Sequence, residues 1–408
     1  MPKALLLINL RGSIIGGAQR RYLSLYNYVA ENRDDYYLII NDQLYSEAVK
    51  KRLLTGTQNI KIIKLPSLGK KKNRVNDSKK GEFSYPRKYI SIKKRLGAFK
   101  GFIKLFIIWG FFSFQFIRII RDYRIESIYS MFTGGMWSWP ILKMGKCRLI
   151  YSYNDSSLWS LDRKIIKFFD SEYWVLKKAD CIDFLSQGII SRLENKIGPI
   201  EPERISVTPN SFISYDKFYP EYPKENFVTF LARLYSVKNP ILYLKAIRIF
   251  NQKYKRNNIK FYLIGEGMEK EIDEFIKENG LNNVEFIKKH FQPWKFLRRS
   301  KIFVSIQQDE NYPSQSLLEA MACENAIVAS DVGETRKLVS ENEGILVPLN
   351  AEKIADAILE LFSDPDSIER LGKNARKKAI ENHTIEKYSE YFFNITSSPK
   401  GSLKNYEK

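Results

Sequence analysis

Short apolar runs alternate with helical patterns along most of the chain, and this alternation constrains the fold more than any other feature. Runs such as Ala4–Leu10 and Phe227–Leu231 are largely apolar on both faces, as are strands of a parallel sheet that helices cover on both sides. The first run is followed by a glycine pair, a helical pattern and a second strand, which is the order that opens a doubly wound sheet. The chain therefore predicts an α/β fold built from parallel sheets.

Two such halves are predicted, and they meet where the sequence becomes irregular and rich in proline, near residues 205–225. The predicted strands are Ala4–Leu10, Tyr36–Ile40, Ile60–Ile63, Ser127–Ser130, Leu149–Tyr153 and Cys181–Phe184, then Phe227–Leu231, Lys260–Ile264, Val284–Ile287, Ile302–Ile306, Ala326–Ala329 and Gly344–Val347. The predicted helices are Tyr22–Ala30, Pro240–Lys253, Met268–Asn279, Ser316–Cys323, Glu334–Ser340, Ala351–Phe362, Ser367–Glu381 and Ile385–Ile395. We place the domains at residues 1–205 and 206–380, followed by a helix at 381–396 that crosses back and a polar tail at 397–408.

Length and composition exclude several classes of protein. With 408 residues, 44% of them hydrophobic, the chain can form two domains with cores and is not disordered. Its three cysteines lack the spacing of metal ligands or of a redox pair, which favours reduced thiols in a cytoplasmic protein. The two histidines, His290 and His383, are far apart in sequence, which argues against a histidine-based zinc site or catalytic triad.

The longest uncharged apolar stretch, Leu105–Ile117, is too short to span a membrane. It has 13 residues, whereas a spanning helix needs about 20. The first residues form a short apolar run that ends in Asn9 and Arg11, which is not the pattern of a secretory signal. We therefore expect a protein without transmembrane segments.

Positive charge is concentrated in one segment. The net charge is +21, and Lys64–Lys104 alone holds 14 Lys or Arg against two acidic residues. An aromatic-rich helical pattern follows it, so that residues 64–120 form a basic and aromatic insert in the first domain. Cations beside such a helix suit the surface of an anionic bilayer. The alternatives are a solvated loop beside a buried core helix, and a module that binds nucleic acid or another polyanion.

Residues 309–322, DENYPSQSLLEAMA, place a polar turn directly before a helix. Ser314, Gln315 and Ser316 supply polar side chains and backbone N–H groups where the helix begins, and Glu319 lies about one turn further on. Backbone N–H groups at a helix N-terminus bind anions, and a carboxylate behind them suits vicinal hydroxyls. A nucleotide-sugar offers both, a diphosphate for the N-terminus and a ribose diol for Glu319. The alternative is a glutamate that only stabilises the helix dipole.

Two cations, Arg233 and Lys238, lie in a turn directly after the predicted strand Phe227–Leu231. Cations at the carboxyl end of a strand suit a diphosphate leaving group, because negative charge develops on that group as a glycosidic bond breaks. The alternative is a pair of solvated surface cations.

Glycines mark two further turns. Gly16 and Gly17 precede the first helix and permit a positive φ and a close backbone approach. Gly265 follows the strand Lys260–Ile264, in a turn that we expect beneath a bound nucleotide. Lys288 follows the next predicted strand, and we expect its backbone to lie beside the base of that nucleotide. An ordinary tight turn is the alternative for the glycine pair.

These segments together resemble a known family. The chain is similar to family 4 glycosyltransferases of the GT-B fold, in which two Rossmann-like, doubly wound domains face each other across a cleft and a last helix packs back toward the first domain. The matching segments are GGAQR (Gly16–Arg20), ARLYSVKNP (Ala232–Pro240), LIGEG (Leu263–Gly267), DENYPSQSLLEAMA (309–322), VASDVGETRKLV (Val328–Val339) and GILVP (Gly344–Pro348). The resemblance covers essentially the whole chain and is loose between residues 65 and 125.

The resemblance implies roles for individual residues. Arg233 and Lys238 would contact the donor pyrophosphate in place of a metal, and Glu319 would bind the ribose hydroxyls. The loop that carries Gly16 and Gly17 would approach the diphosphate across the cleft.

The chain departs from the family pattern at two places. Eight positions before Glu319, where the family has a glutamate, it has Asn311, and Glu310 lies one residue upstream. An amide bonds sugar hydroxyls but carries no charge, so either Asn311 contacts the sugar, which we favour, or Glu310 swings in. The first domain also lacks the family's histidine near the reacting centre. Asp155 is our candidate for orienting or deprotonating the acceptor, and a turn or helix-cap role suits it equally well.

The resemblance implies a retaining glycosyltransferase that uses a UDP- or GDP-sugar. Its acceptor would be a glycan, lipid-linked in our interpretation, during synthesis of a bacterial surface polysaccharide such as capsule, O-antigen or exopolysaccharide. We expect no metal, no other cofactor and no nucleic-acid partner, and a cytoplasmic location on the inner face of the plasma membrane. Two alternatives stay open. One is a polyanion- or membrane-binding protein of GT-B fold without transferase activity, and the other is a nucleotide-sugar epimerase, which needs acidic and histidine groups around the sugar.

Overall fold

The computed structural model describes residues 2–8, 15, 17–55, 59–66, 92–144, 147–153, 171–254, 258–288, 292–309 and 312–398, with the side chains of the third helix described from Lys104 onward. Within these residues the chain forms two sheets with helices packed on them, so the predicted α/β class with two Rossmann-like domains is confirmed. The described residues up to Tyr151, together with Ser171–Asp180, form one compact unit, and those from Cys181 onward form a second. The domain bounds 1–205 and 206–380 stay a prediction.

The first sheet has the strand order β3-β2-β1-β4-β5-β6-β7. Its strands are β1 Lys3–Leu7, β2 Tyr36–Asn41, β3 Ile60–Ile63, β4 Ser127–Met131, β5 Arg148–Tyr153, β6 Cys181–Phe184 and β7 Ile205–Val207. The helices between them are α1 Gly17–Asn32, α2 Asp42–Lys50, α3 Ile92–Asp122, α4 Phe132–Met144, α5 Ser171–Lys178 and α6 Gln187–Ile197. The chain order reverses between the neighbouring strands β1 and β4, which pair in parallel, and this reversal defines a doubly wound sheet.

The second sheet has the order β10-β9-β8-β11-β12-β13, and its neighbouring strands are parallel throughout. Its strands are β8 Glu225–Leu231, β9 Lys260–Gly265, β10 Val284–Lys288, β11 Ser300–Ser305, β12 Ala326–Ser330 and β13 Gly344–Val347. The helices that follow in chain order are α7 Pro240–Tyr254, α8 Glu269–Glu278, α9 Trp294–Leu297, α10 Gln315–Ala322, α11 Thr335–Leu338, α12 Ala351–Ser363, α13 Pro365–Asn382 and α14 Ile385–Ser397.

Helices cover both faces of the second sheet, and its strands are apolar for that reason. Ile302 and Val304 of β11 point into one core with residues of α7 and α12, whereas Phe303 points into the opposite core with residues of α10 and α13. Successive side chains of a strand alternate between faces, so each face receives its own set of apolar residues. The helices α7 and α10, which follow the two central strands, therefore lie on opposite faces of the sheet.

Most predicted elements are present, and the differences have local causes. The strands Ile60–Ile63, Cys181–Phe184 and Gly344–Val347 coincide with the observed bounds. The helix predicted over Glu334–Ser340 is shorter, because Val339 is already extended with φ −123° and ψ 118°. Helix α2 was not predicted because it follows β2 directly, without the glycine or proline that marks a turn.

The C-terminal helix α14 is fixed to the last strands of the first sheet by a buried carboxylate. Asp183 of β6 is 1% exposed and accepts hydrogen bonds from the Tyr391 hydroxyl of α14, at 2.5 Å, and from Thr208 Oγ1, at 3.0 Å. The Tyr391 hydroxyl also lies 2.6 Å from Ser206 Oγ of β7. A buried carboxylate is costly unless hydrogen bonds satisfy it, so this cluster fixes where α14 packs.

Removal of the Tyr391 hydroxyl is expected to destabilise this packing. In Tyr391→Phe the Asp183 carboxylate loses a donor inside the core, which costs about 1–3 kcal/mol. The midpoint of thermal unfolding, followed by circular dichroism, should fall by several degrees. Tyr219→Phe is the matched control, because the Tyr219 ring is 39% exposed and its described contact is with Arg298 through the ring face. Equal midpoints for the two variants would contradict the role of the hydroxyl.

Candidate functional site

The centre of the second sheet is where its chain order reverses. From β8 the chain moves outward through β9 to β10, and from β11 it moves outward the other way to β13. The connections that leave β8 and β11 lead to helices on opposite faces, so they separate at the carboxyl edge of the sheet. Ligands of open parallel sheets bind in the crevice that forms at such a reversal.

Hydrogen bonds join the two connections at this crevice. After β8 the chain forms a 3₁₀ turn, Ser236–Lys238, and Asn239 adopts a left-handed conformation with φ 54° before α7 begins. After β11, the Gln308 N–H donates to Val237 O at 2.9 Å, and Gln308 Nε2 donates to Asn239 Oδ1 at 3.1 Å. The position of the β8 turn is therefore set by residues that follow β11.

Lys238 is a partly buried cation in this crevice. Its ammonium donates to Gln307 Oε1 at 2.7 Å. Burial lowers the pKa of Lys238 to about 8, and the nearby charge of Asp309 counteracts part of this effect. The ammonium form is thus only moderately favoured near neutral pH, and an anionic ligand would stabilise it.

Gln307 was not singled out from the sequence, although it orients Lys238. It is 6% exposed, and its backbone is held by Ser330 at the end of β12. The Gln307 N–H donates to Ser330 Oγ at 2.9 Å, and Ser330 Oγ donates to Gln307 O at 3.0 Å. The available signal was the position of Gln307, a polar residue directly after a buried strand, at the edge where site residues of parallel sheets gather.

Arg233 lies in the same turn and is exposed. Within the described residues its guanidinium has no ion-pair partner, so its donors remain available to a ligand. The turn after β9 supports this loop closely, since Leu234 N–H donates to Glu266 O at 2.8 Å. A Cβ on Gly265 would lie 1.9 Å from Ala232 O, and one on Gly267 2.5 Å from Leu234 O, so both positions require glycine.

Helix α10 presents its N-terminus after the β11 connection. Ser314 is its N-cap and is 5% exposed, but its side chain makes no capping hydrogen bond; Ser314 Oγ lies 3.4 Å from Ser316 Oγ. Gln315 uses its side-chain amide elsewhere, since Gln315 Nε2 donates to Ser211 Oγ at 2.7 Å. Glu319 is half-buried in the second turn of the helix. The helix therefore offers backbone N–H groups, with a carboxylate further along.

The structure places the remaining predicted residues in different ways. Lys288 ends the edge strand β10, two strands away from β8, and its ammonium pairs with Asp273 at 2.5 Å. Gly17 is the first residue of α1, and the positive φ expected for it is not observed, because the helix has already begun there. Four predicted residues lie outside the described residues: Gly16, Asp155, Glu310 and Asn311.

The ionisable groups of the described residues show no metal-binding cluster of histidine, cysteine, aspartate and glutamate. His383, which ends α13, is buried, and burial lowers its pKa to about 4. Its Nδ1 accepts from the Ser211 N–H at 3.4 Å, so the ring is neutral and structural. All three cysteines are buried and free of disulfides, and burial raises the pKa of Cys323 to about 12.

The region that contains this candidate site matches a known protein family. Residues 212–378 match the family described as glycosyl transferases group 1. This stretch includes Arg233, Lys238, Gln307 and Glu319, together with every strand of the second sheet. It is a group 1 glycosyltransferase domain. The predicted family is thus confirmed.

Two curated relatives are bacterial proteins named for the transfer of N-acetylated sugars. The poly(ribitol-phosphate) alpha-N-acetylglucosaminyltransferase of Staphylococcus aureus is 26% identical over 240 residues, which are 57% of this chain and 47% of that protein. A Campylobacter jejuni enzyme is 25% identical over 202 residues, 49% of this chain and 55% of that protein. It is named as an alpha-1,4-N-acetyl-D-galactosaminyltransferase of a GalNAc-containing diNAcBac-PP-undecaprenol. The chain spans about half the length of these relatives.

Solved structures share this fold over almost the whole chain. HepE of Anabaena, crystallised with UDP and glucose, matches with a TM-score of 0.72 over 98% of this chain and all of that chain. The sequence identity is only 14%, so the likeness concerns the fold. It supports the GT-B class that the sequence predicted.

The buried environment of Lys238 gives a pH dependence that can be measured. Affinity for UDP should fall as pH rises through about 8, because binding above that pH must add a proton to the Lys238 amine. The β-phosphate of UDP, with a pKa of about 6, stays ionised at these pH values. Calorimetric titration between about pH 7 and pH 10 measures the change. In Lys238→Arg, whose charge does not titrate, the decline should flatten; an unchanged decline would assign it to another group.

Loss of the Gln307 amide oxygen, which accepts the hydrogen bond of Lys238, should shift the pH dependence of UDP affinity. In Gln307→Leu the Lys238 ammonium loses a hydrogen bond that favours its charged form, so its pKa falls further and the decline in UDP affinity begins at lower pH. At pH 8 the affinity should be about tenfold lower, as expected for a hydrogen bond to a charged group. Gln308→Leu is the control: it also removes a hydrogen bond to the β8 turn, at Asn239, but leaves the Lys238 ammonium its Gln307 partner, so the pH of the decline should not move. Identical pH profiles for the two variants would argue against the Gln307 contact.

Proposed function

We propose that this protein is a retaining glycosyltransferase that moves a sugar from a nucleoside-diphosphate sugar to a glycan acceptor. The observation that carries the proposal is the hydrogen bonding of the β8 connection, which holds Arg233 and Lys238, to Gln307 and Gln308 of the connection that leads to α10. Two cations and a set of backbone N–H groups suit a diphosphate, and Glu319 suits the adjacent ribose diol. Membership of the group 1 glycosyltransferases supports the same assignment.

The reaction places its largest change of charge where these cations lie. The bond between the anomeric carbon and the β-phosphate oxygen breaks, and the diphosphate leaves with the electron pair. The acceptor hydroxyl oxygen forms the new bond to the anomeric carbon on the same face, and its proton passes to the departing phosphate. Arg233 and Lys238 stabilise the charge that develops on the leaving group, as preorganised cations do in a site that excludes water.

The donor nucleotide is uridine or guanosine diphosphate in this proposal. The Anabaena protein HepE was crystallised with UDP, which favours uridine as the first choice for testing. In this proposal the site residues contact the phosphates and the ribose, and neither group distinguishes the two nucleotides. We propose that these protein groups replace a metal ion at the diphosphate.

The acceptor in this proposal is a lipid-linked or polymeric glycan of the bacterial surface. The Campylobacter relative is named for an undecaprenol-linked glycan and the Staphylococcus relative for poly(ribitol-phosphate). In this proposal the protein meets its acceptor at the inner face of the plasma membrane, as a peripheral protein. An epimerase or a binding protein without transferase activity gains no support from these relatives, which are both named for sugar transfer.

A panel of nucleotides and nucleotide-sugars tests the donor assignment. Thermal unfolding should shift upward with one UDP- or GDP-sugar, since a ligand at about 100 times its Kd adds roughly 2.7 kcal/mol of stability. Glu319→Ala should remove most of this shift, because the ribose diol loses its carboxylate partner. Glu360→Ala, at an exposed glutamate of α12, is the matched control and should keep the full shift.

Two outcomes of this experiment would contradict the proposal. The first is no shift with any nucleotide or nucleotide-sugar, and the second is an equal shift in the Glu319 and Glu360 variants. Transfer to a glycan acceptor is measured separately, and the anomeric configuration of the product, determined by nuclear magnetic resonance, reports whether the reaction retains configuration.

A further inference from the structure

Helix α3 carries an apolar face that no described residue covers. Five large side chains form this outer face: Phe106 63%, Ile107 51%, Phe111 54%, Phe114 73% and Ile117 49% exposed. With 3.6 residues per turn, they share one side of the helix over three turns. Single exposed apolar residues are ordinary on protein surfaces, but a contiguous group of this size marks an interaction site.

The opposite face of α3 fixes the helix to the first unit. Ile108, Phe112 and Phe116 recur every four residues and are buried, and Phe112 stacks on Phe116 with ring centroids 4.9 Å apart. Trp109 Nε1 donates to Trp137 O of α4 at 3.1 Å. Because the inner face is anchored, the outer face points away from the described core.

Positive charge borders this face. Lys104 precedes it and is exposed, and Arg118 and Arg121 follow it, sharing the single carboxylate of Asp122. The cation-rich segment begins at the same helix: the Lys64 N–H donates to Gln115 Oε1 at 3.0 Å, and Gln115 Nε2 donates to Lys64 O at 2.9 Å. In sequence this segment runs on to Lys104 with 14 basic and two acidic residues.

We propose that the outer face of α3 is the surface by which this protein lies on an anionic membrane. The helix would rest in the plane of the interface, with Phe106, Phe111 and Phe114 among the acyl chains and the cations at the lipid phosphates. A helix with an apolar side bordered by Lys and Arg has the character of an interfacial helix. No helix among the described residues is long and apolar enough to cross the bilayer, so the contact is one of docking.

Charge favours a membrane over a second copy of the chain. Two copies joined through this face would bring together the exposed cations of both copies, Lys104, Arg118 and Arg121, in a chain whose net charge is +21. Like charges at close range oppose such a dimer, whereas phosphatidylglycerol headgroups neutralise them. The proposal concerns location and rests on the proposed function only for its biological purpose.

Vesicle binding of the full chain tests the proposal without donor or acceptor. We expect co-sedimentation with vesicles of phosphatidylcholine containing about one third phosphatidylglycerol, and much weaker binding to phosphatidylcholine alone. The triple variant F106S/F111S/F114S should bind at least about tenfold more weakly. The control V49S/M144S/I380S removes three other exposed apolar side chains, 48%, 88% and 39% exposed, and should bind as the unmodified protein does.

A site-specific probe tests which part of the molecule enters the lipid. Because the three native cysteines are buried, a cysteine introduced by Phe114→Cys can be labelled with an environment-sensitive fluorophore. Its emission should shift to shorter wavelength when anionic vesicles are added. The label at Met144→Cys, an apolar position on α4 that is 88% exposed against 73% for Phe114, should not shift.

Four results would overturn the proposal. Equal vesicle binding by the outer-face variant and the control would assign the contact to another surface. A concentration-dependent dimer without lipid, lost in the outer-face variant, would assign the face to a second copy. A blue-shifted label at position 114 before lipid is added would show that the chain itself covers the face. Binding of an oligonucleotide at matched salt, lost with the same variant, would assign the face to nucleic acid. A failed nucleotide-shift experiment leaves all these readouts intact, so the two proposals fail separately.

Discussion

The adjacency of β8 and β11 is the constraint on which the candidate site depends. These strands are far apart in sequence, and a parallel doubly wound sheet brings them together at the point where its order reverses. The cross-connection bonds from Gln307 and Gln308 to the β8 turn then set where Lys238 points. Neither connection forms the candidate site alone. The β8 connection supplies the two cations, and the β11 connection supplies Gln307, which accepts the hydrogen bond of Lys238, and leads to the N-terminus of α10.

The two cations of the site differ in a way that matters for a leaving group. Arg233 is exposed, and its planar guanidinium suits bidentate contact with a phosphate. Lys238 is partly buried and has lost some preference for its charged form. In the proposed reaction an incoming diphosphate would restore that preference, so part of the interaction with Lys238 would depend on the bound ligand. That interaction would be strongest when the charge on the leaving phosphate is largest, and it would therefore favour the proposed transition state over the bound donor.

The sequence was sufficient to predict the order of the elements and to identify the polar residues that follow the strand ends. Buried parallel strands are continuous apolar runs, so Ile60–Ile63 and Gly344–Val347 were readable without knowledge of their partners. Side-chain partners were not readable. That Gln315 bonds Ser211 and that Gln307 bonds Lys238 depends on the register of distant strands and on side-chain rotamers, which no local pattern encodes. Glu310, Asn311 and Asp155 stay predictions, since they lie outside the described residues.

The apolar stretch of α3 shows why hydrophobic periodicity could not distinguish a core helix from a surface helix. Apolar residues surround this part of the helix, so the usual contrast between a polar and an apolar side, which distinguishes a core helix from a surface helix, is absent. The sequence left a buried core helix, a helix at a membrane surface and a polyanion-binding module as alternatives, and the burial of one side fits the core helix. Ile108, Phe112 and Phe116 belong to the core, whereas Phe111 and Phe114 do not. The helix therefore has one apolar side on the core and a second that is exposed among the described residues. Contact of this second side with water is unfavourable. The free energy of covering the second side is therefore available to whatever surface the protein meets.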